Sequence, residues 1–396
     1  MTTVRINKPQ INVREKLNEL DRPVGLAGAA MLRAETPQEQ FNLIGAGRRN
    51  LLDNGDQRVK QRPNSSVQAT VAGNYYLADR WQTKFFGGGF SGNHHTISHE
   101  TDAPDGFAFS TKITTNIAQN FSNALGSWFS TNLEGQNLIP LKSGTGSKPF
   151  TVSFWVKSNV RGNVSVTAEG SGSGFSYSTF VTITDDDTWE YKTVTFPANP
   201  VNQDFDYTTS DSDFSLKFGL GSNGSWLVDT DNQWNDKTNN RGVLSPQQTN
   251  FLANVNNYIQ FTGIQMEVGE HATDYEYRSY ATELAECQRY LYVIDGPTGG
   301  DRIGAAFCYS ATGAIVTLPL PVTMRAKPTL DTPSGSLITI NDQVTAYTST
   351  GISLNGANKN FVSLAVTSSG MTANRGAQAY FTSSSANNAL VIRAEP

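Results

Sequence analysis

Apolar residues occupy every second position in much of this chain, which is the period of a β-strand with one buried face. The clearest run covers residues 150–156, where Phe150, Val152, Phe154 and Val156 share one side. Turn-forming clusters of Gly, Asn, Asp and Ser separate the runs. The pattern predicts an antiparallel β-sandwich of many short strands. The same alternation recurs at residues 164–168, 177–183, 214–220, 264–268 and 362–366.

A boundary is predicted near residue 280, where helical spacing interrupts the alternation. Leu284, Cys287 and Leu291 recur at i, i+3 and i+7, which predicts a short helix that runs into a strand. Beyond it the alternation resumes with even less charge. We therefore predict one β domain over residues 50–280 and a second over residues 281–396.

The first 49 residues carry a different, helical period. Val13, Leu17 and Leu20 form one apolar stripe, and a second short helix carries Phe41 and Ile44. Two short helices cannot bury a core of their own, so this segment must pack on something else. It is either a strap over the chain's own next domain or an arm that docks on another protein. We favour the arm, with these five side chains as its docking contacts.

Composition narrows the class of protein. Charged residues make up 16% of the 396 residues and aromatic residues 10%, against a usual charged share of about 25%. Disordered chains and coiled coils do not have this composition. The net charge of −5 supplies no cationic surface for phosphates, so nucleic acid is a poor partner. No apolar run is long enough to span a membrane.

Cysteine content bears on where the protein is made. Two cysteines, Cys287 and Cys308, do not make a disulfide framework, and we expect both to be buried as small hydrophobic residues. The N-terminus lacks the apolar core of a secretory signal. The composition is typical of β-sandwiches that face the extracellular side, whereas the cysteine content and the N-terminus indicate synthesis in a reducing compartment. A virion protein that is released by lysis fits both observations.

Several motifs carry a resemblance to a known family. They are Arg33–Gly47, Asn50–Asp56, Tyr76–Trp81, Gly263–Gly269, Glu283–Tyr290 and Leu320–Leu330. Together they resemble bacteriophage tail fibre and virion appendage proteins of the marine phage type. Asp53 and Gln57 depart from the pattern, since the family usually has apolar or aromatic residues there. A different packing of the first strand is therefore expected.

The resemblance implies three parts and an assembly. Residues 1–49 would be a virion-docking arm, residues 50–280 a jelly roll like a carbohydrate-binding module, and residues 281–396 a tail-fibre-like C-terminal domain. The fold class expected is thus all-β, an antiparallel jelly-roll sandwich plus a C-terminal β-sandwich domain, preceded by a short helical arm. Such appendages are usually trimeric.

No residue pattern indicates catalysis. Gly172-Ser173-Gly174 lies in a predicted turn and lacks the strand-to-helix context of a nucleophile elbow. The acidic residues Asp185–Asp187, Asp211 and Asp213 are interpreted as solvated turn residues. We expect a protein without enzymatic activity.

No metal site is assigned, and two possibilities stay open: three copies of one histidine gathered at a trimer axis, and structural calcium. His94, His95 and His99, near Glu100 and Asp102, are interpreted as loop residues and not as metal ligands. No cofactor is expected. Structural calcium stays open, because jelly rolls of this kind often hold one, and no ligands are assigned. Carboxylates that flank the presumed first and last strands are Asp56, Glu267 and Asp274.

Aromatic residues in polar loops are the candidate glycan contacts. Tyr207, Trp226 and Trp234 sit in sequence rich in Asp, Asn and Thr. A flat ring can cover the apolar face of a sugar while amides and carboxylates bind its hydroxyls. Three interpretations stay open for these residues: glycan contact, intersubunit packing and local loop packing.

The function expected is that of a tail fibre or spike subunit. It would attach to other virion proteins (tail, adaptor or nozzle), form a homotrimer chiefly through residues 293–396, and bind host surface polysaccharide. It would be made in the host cytoplasm and end in an external appendage of the virion. The alternative is a capsid-decorating or neck/connector protein with no glycan binding.

Overall fold

The computed structural model describes residues 48–86, 92–121, 126–141, 146–170, 175–199, 208–223, 226–236, 242–331, 336–385 and 388–395. The chain separates into two compact units, residues 1–49 and residues 50–396. The predicted arm and its residues Val13, Leu17, Leu20, Phe41 and Ile44 lie outside the described residues. The predicted boundaries of the arm and of the two β domains stay predictions.

Residues 66–268 form a sandwich of two antiparallel sheets. Sheet A has the strand order β1-β4-β5-β13-β7-β10 and sheet B the order β12-β9-β8-β11-β6-β3-β2. This arrangement confirms the predicted jelly-roll sandwich. The strands are β1 (Ser66–Ala69), β2 (Gly73–Tyr76), β3 (Trp81–Phe86), β4 (His95–Glu100), β5 (Ser110–Thr115), β6 (Gly126–Glu134), β7 (Phe150–Ser158), β8 (Gly162–Gly170), β9 (Phe175–Ile183), β10 (Glu190–Phe196), β11 (Ser212–Ser222), β12 (Trp234–Asp236) and β13 (Tyr258–Val268).

Aromatic side chains fill the space between sheets A and B. Phe150, Phe154 and Phe214, which alternation assigned to the core, are all buried. Phe154 meets Phe218 edge to face, with ring centroids 4.8 Å apart. Such pairs stabilise a core by about 0.5–1.5 kcal/mol beyond the area that they bury.

The rest of the unit contains a second hydrophobic core. As predicted, a helix, α1 (Tyr280–Gln288), leads into a strand, β14 (Leu291–Asp295). Ser279 caps the helix, because its side chain accepts a hydrogen bond from the Thr282 amide. Cys287 and Cys308 are buried and free, as expected.

Two sheets enclose this core. Sheet C has the order β14-β23-β17, and sheet D the order β19-β18-β22-β15-β16-β21-β20. A 3-10 helix follows β6 at Gly135–Leu141. No helix in the described part of the chain is long and apolar enough to cross a membrane. The remaining strands are β15 (Arg302–Cys308), β16 (Gly313–Pro319), β17 (Thr329–Leu330), β18 (Ile338–Asn341), β19 (Ala346–Thr348), β20 (Gly351–Asn358), β21 (Phe361–Thr367), β22 (Arg375–Phe381) and β23 (Ala389–Arg393).

The centre of the outer face of sheet D has no charged side chain among the described residues, and Arg302 lies at the start of β15 over the ring of Tyr380. Ala306, Val316 and Leu364 point into the core, so their neighbours along each strand point outward. This outer face of sheet D is defined by Ala305, Phe307, Ile315, Thr317, Ser363, Ala365, Gly376 and Gln378. Phe307 is the large apolar side chain at its centre, and it is 47% exposed.

The segment that begins the second unit is not the strand expected from the resemblance. It instead runs irregularly along β13: the Leu51 amide donates to the Met266 carbonyl at 2.9 Å, and the Ile264 amide donates to the Gly55 carbonyl at 2.9 Å. Gln57 adopts a left-handed backbone conformation, with φ of 59°. This conformation breaks any continuous strand.

The departure at Asp53 has a structural reason. The Asp53 carboxylate accepts from Arg80 Nε at 3.2 Å, and both side chains are only 4% exposed. The Arg80 guanidinium stacks on the ring of Tyr290 at 3.4 Å. A buried cation needs a buried anion, so an apolar residue at this position would leave Arg80 uncompensated. Three of the motif stretches therefore meet where the sandwich contacts the C-terminal domain.

A further buried carboxylate belongs to the same region. Asp79 accepts hydrogen bonds from the Gln61 amide and from Gln61 Nε2, at 3.1 and 2.6 Å. Burial raises the pKa of Asp79 to about 7. Gln61 Nε2 also donates to the Leu291 carbonyl on β14 at 2.7 Å, so these buried contacts connect the sandwich to the C-terminal domain.

Candidate functional site

The outer face of sheet B carries a row of polar side chains that crosses four strands. Tyr76 on β2 pairs with Gln82 on β3, and Gln82 pairs with Ser130 on β6. Ser130 in turn pairs with Lys217 on β11. Neighbouring strands lie about 4.8 Å apart, so the row from Tyr76 to Lys217 spans about 14 Å.

A second row runs parallel to the first and ends in aromatic rings. Asn74 pairs with Lys84, and Lys84 pairs with Trp128. Phe86 lies on the same face of β3, because it is two residues beyond Lys84. The outer face of sheet B is defined here by these two rows and this ring: Asn74, Tyr76, Gln82, Lys84, Phe86, Trp128, Ser130 and Lys217.

Three aromatic rings form a cluster on this face. Trp226 lies 5.6 Å from Trp128 and 4.5 Å from Phe86, measured between ring centroids. Trp128 is buried beneath Val243 and Leu244. Phe86 is 38% exposed and Trp226 is half-buried. The cluster therefore presents partly exposed rings on a fixed base.

Lysine side chains flank the rings. Lys217 Nζ lies 4.9 Å from the centre of the Trp128 ring, and Lys84 Nζ lies 5.9 Å from it. Lys217 also forms an ion pair with Glu169. Burial lowers the pKa of Lys84. Ammonium groups over ring faces are held by the ring quadrupole. Lys217 is buried and paired with Glu169, so Lys84 is the lysine of this pair that can donate N–H groups to a ligand.

Two buried acceptors lie between the lysines. Gln82 Oε1 and Ser130 Oγ have no hydrogen-bond partner among the described residues. They are neighbours in the first row. Buried polar atoms are nearly always satisfied by protein, water or ligand, so this pair marks a place for a polar group.

A chain segment covers the remainder of the outer face. The Ser165 amide donates to Gln248 Oε1 at 2.7 Å, and the Ser245 amide donates to Ser165 Oγ at 2.9 Å. The segment can lie this close because β11 has a glycine beneath it: a Cβ at Gly219 would fall 2.2 Å from Gln248. The exposed part of the face is therefore on β2 and β3, at Asn74, Lys84 and Phe86, because Gln82, Trp128 and Ser130 are buried.

The structure distributes the three predicted glycan contacts differently. Trp226 belongs to the aromatic cluster just described. Trp234 on β12 packs against Phe175 and Tyr177, and its Nε1 donates to the Pro197 carbonyl at 3.2 Å. It thus lies at the opposite edge of the sheet and on its core side. Tyr207 lies outside the described residues.

Sequence reasoning missed the partners of Trp226. Trp128 and Phe86 each sit next to a core phenylalanine, Phe129 and Phe85, so alternation hid their outward direction. Lys84 and Lys217 are the signal that could have found them. Each lysine interrupts an otherwise apolar strand and so marks which positions of that strand point outward.

Two of the three histidines are not loop residues, which corrects the sequence interpretation for them, whereas His94 lies before the strand, as expected. His95 and His99 lie on β4, and His95 stacks on Phe85 with ring centroids 4.5 Å apart. Burial lowers the pKa of His95 to about 3. His99 Nε2 meets the Gln57 carbonyl at 2.6 Å. The strand begins at His95, just after the Gly and Asn residues that indicate a loop.

The carboxylates considered for catalysis or calcium binding lie apart from one another, and several have other partners. Asp186 forms an exposed ion pair with Arg161 at 3.2 Å. Asp56 pairs with Arg58 at 3.0 Å, while Glu267 accepts from the amide and the hydroxyl of Thr273. Within the described ranges, no group of three His, Cys, Asp or Glu residues is placed to hold a metal ion.

Solved structures similar to this chain include a phage tailspike domain and carbohydrate-binding modules. A tailspike protein 4 domain of bacteriophage CBA120 is 12% identical over 56% of this chain, which covers 21% of that chain, with a TM-score of 0.31. A family 11 carbohydrate-binding module of Clostridium thermocellum is 15% identical, with 52% of this chain and 100% of that one covered and a TM-score of 0.26.

A third solved structure, TmCBM61 in complex with β-1,4-galactotriose, is 10% identical over 56% of this chain and 99% of that one, with a TM-score of 0.26. No family model and no curated protein matches the chain. At these identities and scores the likeness describes a class of fold and carries no argument about the site.

Proposed function

We propose that this chain is a subunit of a phage tail fibre or spike and that the outer face of sheet B binds glycan. The observation that carries the proposal is the half-exposed Trp226, which is held with Phe86 on the buried Trp128. Ring faces suit the apolar faces of sugars, while Lys84 and Asn74 beside them supply donors for hydroxyls. The resemblance of the motif stretches to virion appendage proteins supports the assignment of the chain to a phage particle.

The remaining parts of the proposal follow from the resemblance and from the residues. The arm over residues 1–49 attaches the subunit to other virion proteins, the protein belongs to an external appendage, and it has no catalytic role. The rival role, decoration of a capsid or neck, shares the fold but needs no glycan site. Glycan binding therefore separates the two.

Substitution of Trp226 tests the glycan site. The purified chain is screened on a glycan array, and its affinity for the strongest glycan is then measured by calorimetry. We expect Trp226→Ala to weaken that affinity roughly 30-fold, about 2 kcal/mol, because aromatic anchors dominate such contacts. The matched control is Tyr309→Ala, which removes an exposed ring from the C-terminal domain.

The control variant should bind like the unmodified chain. Equal weakening by both substitutions would mean that the loss is general. An array on which no glycan is bound would favour the decorating role instead.

We also propose that the subunits form a homotrimer through the outer face of sheet D. Side chains on a solvated sheet face usually include charges, whereas the centre of this face, around Phe307, has only small or apolar side chains and Gln378, and Arg302 lies towards one end. We expect light scattering to give three times 43.0 kDa, and Phe307→Asp to give the single-chain mass. A single-chain mass for the unmodified protein at micromolar concentration would contradict the trimer.

A further inference from the structure

A cavity of about 380 Å³ lies where sheet B meets the C-terminal domain. One wall is the edge strand β2, with Asn74 and Tyr76, and the other is built from residues 325–329 and the end of β23. Small-molecule sites commonly have volumes of about 300–1,000 Å³. The cavity is therefore large enough for a ligand and not only for water.

The wall of this cavity is cationic although the whole chain is acidic. Arg325, Lys327 and Arg393 line it, against Glu395 as the lining carboxylate. Lys327 is exposed, and none of the ion pairs between described residues includes it. Lys327 is thus a cation at the cavity that no carboxylate of the described chain neutralises.

The other two cations are oriented by contacts with neighbouring residues, and Arg325 also pairs with Asp211 at 3.5 Å. Arg325 Nε donates to the Ala394 carbonyl at 2.6 Å and its Nη1 to the Ser210 carbonyl at 2.8 Å. Arg393 pairs with Asp331 at 2.7 Å, with both side chains about half exposed. Ion pairs this exposed are weak, so Arg393 can exchange its partner for a ligand carboxylate at little cost.

Glu395 adds an acceptor to the cationic wall. One of its oxygens accepts from Arg62 Nη2 at 2.7 Å, whereas its Oε1 is buried without a hydrogen-bond partner among the described residues. A simple inorganic anion would be repelled by this carboxylate. A molecule with both a carboxylate and hydroxyl donors would satisfy the cations and Oε1 together.

The cavity is continuous with the proposed glycan face. Asn74 and Tyr76 line the cavity, and they pair in register with Lys84 and Gln82 on the adjacent strand. A strand spacing of about 4.8 Å separates each pair. A saccharide that lies on the aromatic cluster therefore reaches the cavity across β3 and β2.

We propose that the cavity binds the carboxylate of an acidic sugar residue, so that the glycan held by the outer face of sheet B is an acidic polysaccharide. This inference rests on the proposed glycan binding and names its chemical class. Lys327, Arg325 and Arg393 hold the carboxylate, Glu395 Oε1 accepts from a hydroxyl, and the ring of Tyr76 forms a wall.

Calorimetry on the full chain tests the inference with three probes. The probes are oligogalacturonate, its methyl ester and oligosialic acid. The methyl ester has the same sugar backbone as oligogalacturonate without its charge, and oligosialic acid carries its carboxylate on a different sugar. We expect one acidic oligomer to bind at least tenfold more tightly than the neutral ester, and the difference to shrink as salt is added.

Substitutions of cavity residues test whether the acidic oligomer binds in the cavity. Lys327→Gln and Arg393→Gln should each weaken binding of the acidic oligomer about tenfold, as expected for a charged hydrogen bond, and leave any binding of the ester unchanged. The matched control is Lys359→Gln, which alters an exposed lysine in the turn between β20 and β21 and should change nothing.

Each outcome decides between the two claims. If the ester binds as tightly as the acid, or if neither Lys327→Gln nor Arg393→Gln reduces binding of the acid, the cavity is not a carboxylate site, while the glycan face stands. If the array shows a neutral ligand whose binding needs Trp226 and no acidic oligomer binds, only the inference fails. Absence of binding to every glycan overturns both.

Discussion

Val366→Asp is expected to unfold the C-terminal domain. Val366 is fully buried on β21, where it pairs with Ala314 on one side and Ile352 on the other. A carboxylate there would have no buried cation to pair with, and burying it costs several kcal/mol. That cost is comparable with the whole stability of a typical domain, about 5–15 kcal/mol.

Denaturant unfolding of the variant measures this effect. The control is Thr367→Asp, which places the same charge at the next residue of β21, where the side chain is exposed. We expect the control to stay folded and the Val366 variant to lose its cooperative transition for the C-terminal domain. An unchanged midpoint for Val366→Asp would show that this core is not packed as described.

Arg80→Met is expected to destabilise the sandwich by about 3–5 kcal/mol, because it leaves the buried Asp53 carboxylate without its main partner. The substitution also removes the donor to the Asn132 carbonyl, at 2.5 Å, and the cation over Tyr290. Urea unfolding gives the loss as a shift of the midpoint at constant slope.

A second substitution makes the cause identifiable. Asp53→Asn together with Arg80→Met should recover part of the loss, since the remaining group is then uncharged. The control Arg161→Met breaks the exposed pair with Asp186 and should cost less than about 1 kcal/mol. If the double variant is no more stable than Arg80→Met, the buried charge is not the source of the loss.

The strands were predictable because their signal is local. The alternation over residues 150–156 and 214–220 is explained by β7 and β11, whose apolar residues face one core. The segment after Asn50 was not predictable as an irregular stretch, since its conformation is set by contacts with β13 that lie far along the sequence. His95 was misassigned for a related reason: glycine and asparagine upstream mark a loop only up to where β4 begins.

The candidate site was much less predictable than the strands. Trp226 could be proposed from its polar surroundings, but its neighbours Phe86 and Trp128 come from strands that only the sheet order brings side by side. The cavity needs Asn74 and Lys327 on facing walls, and no local pattern relates residues so distant. Strand order and domain packing, which arise from the whole chain, decide both features.

The contacts that begin the second unit also determine when folding can be completed. The Asn50 amide donates to Glu276, and the Asn54 amide donates to Glu283, across 226 and 229 positions of sequence. In a chain emerging from the ribosome, the segment that begins at Asn50 therefore lacks these partners until α1 has been made. Long loop closure slows folding and exposes unpaired strand edges. The jelly roll is thus completed late, and a nascent chain that stops before α1 lacks the residues that close it.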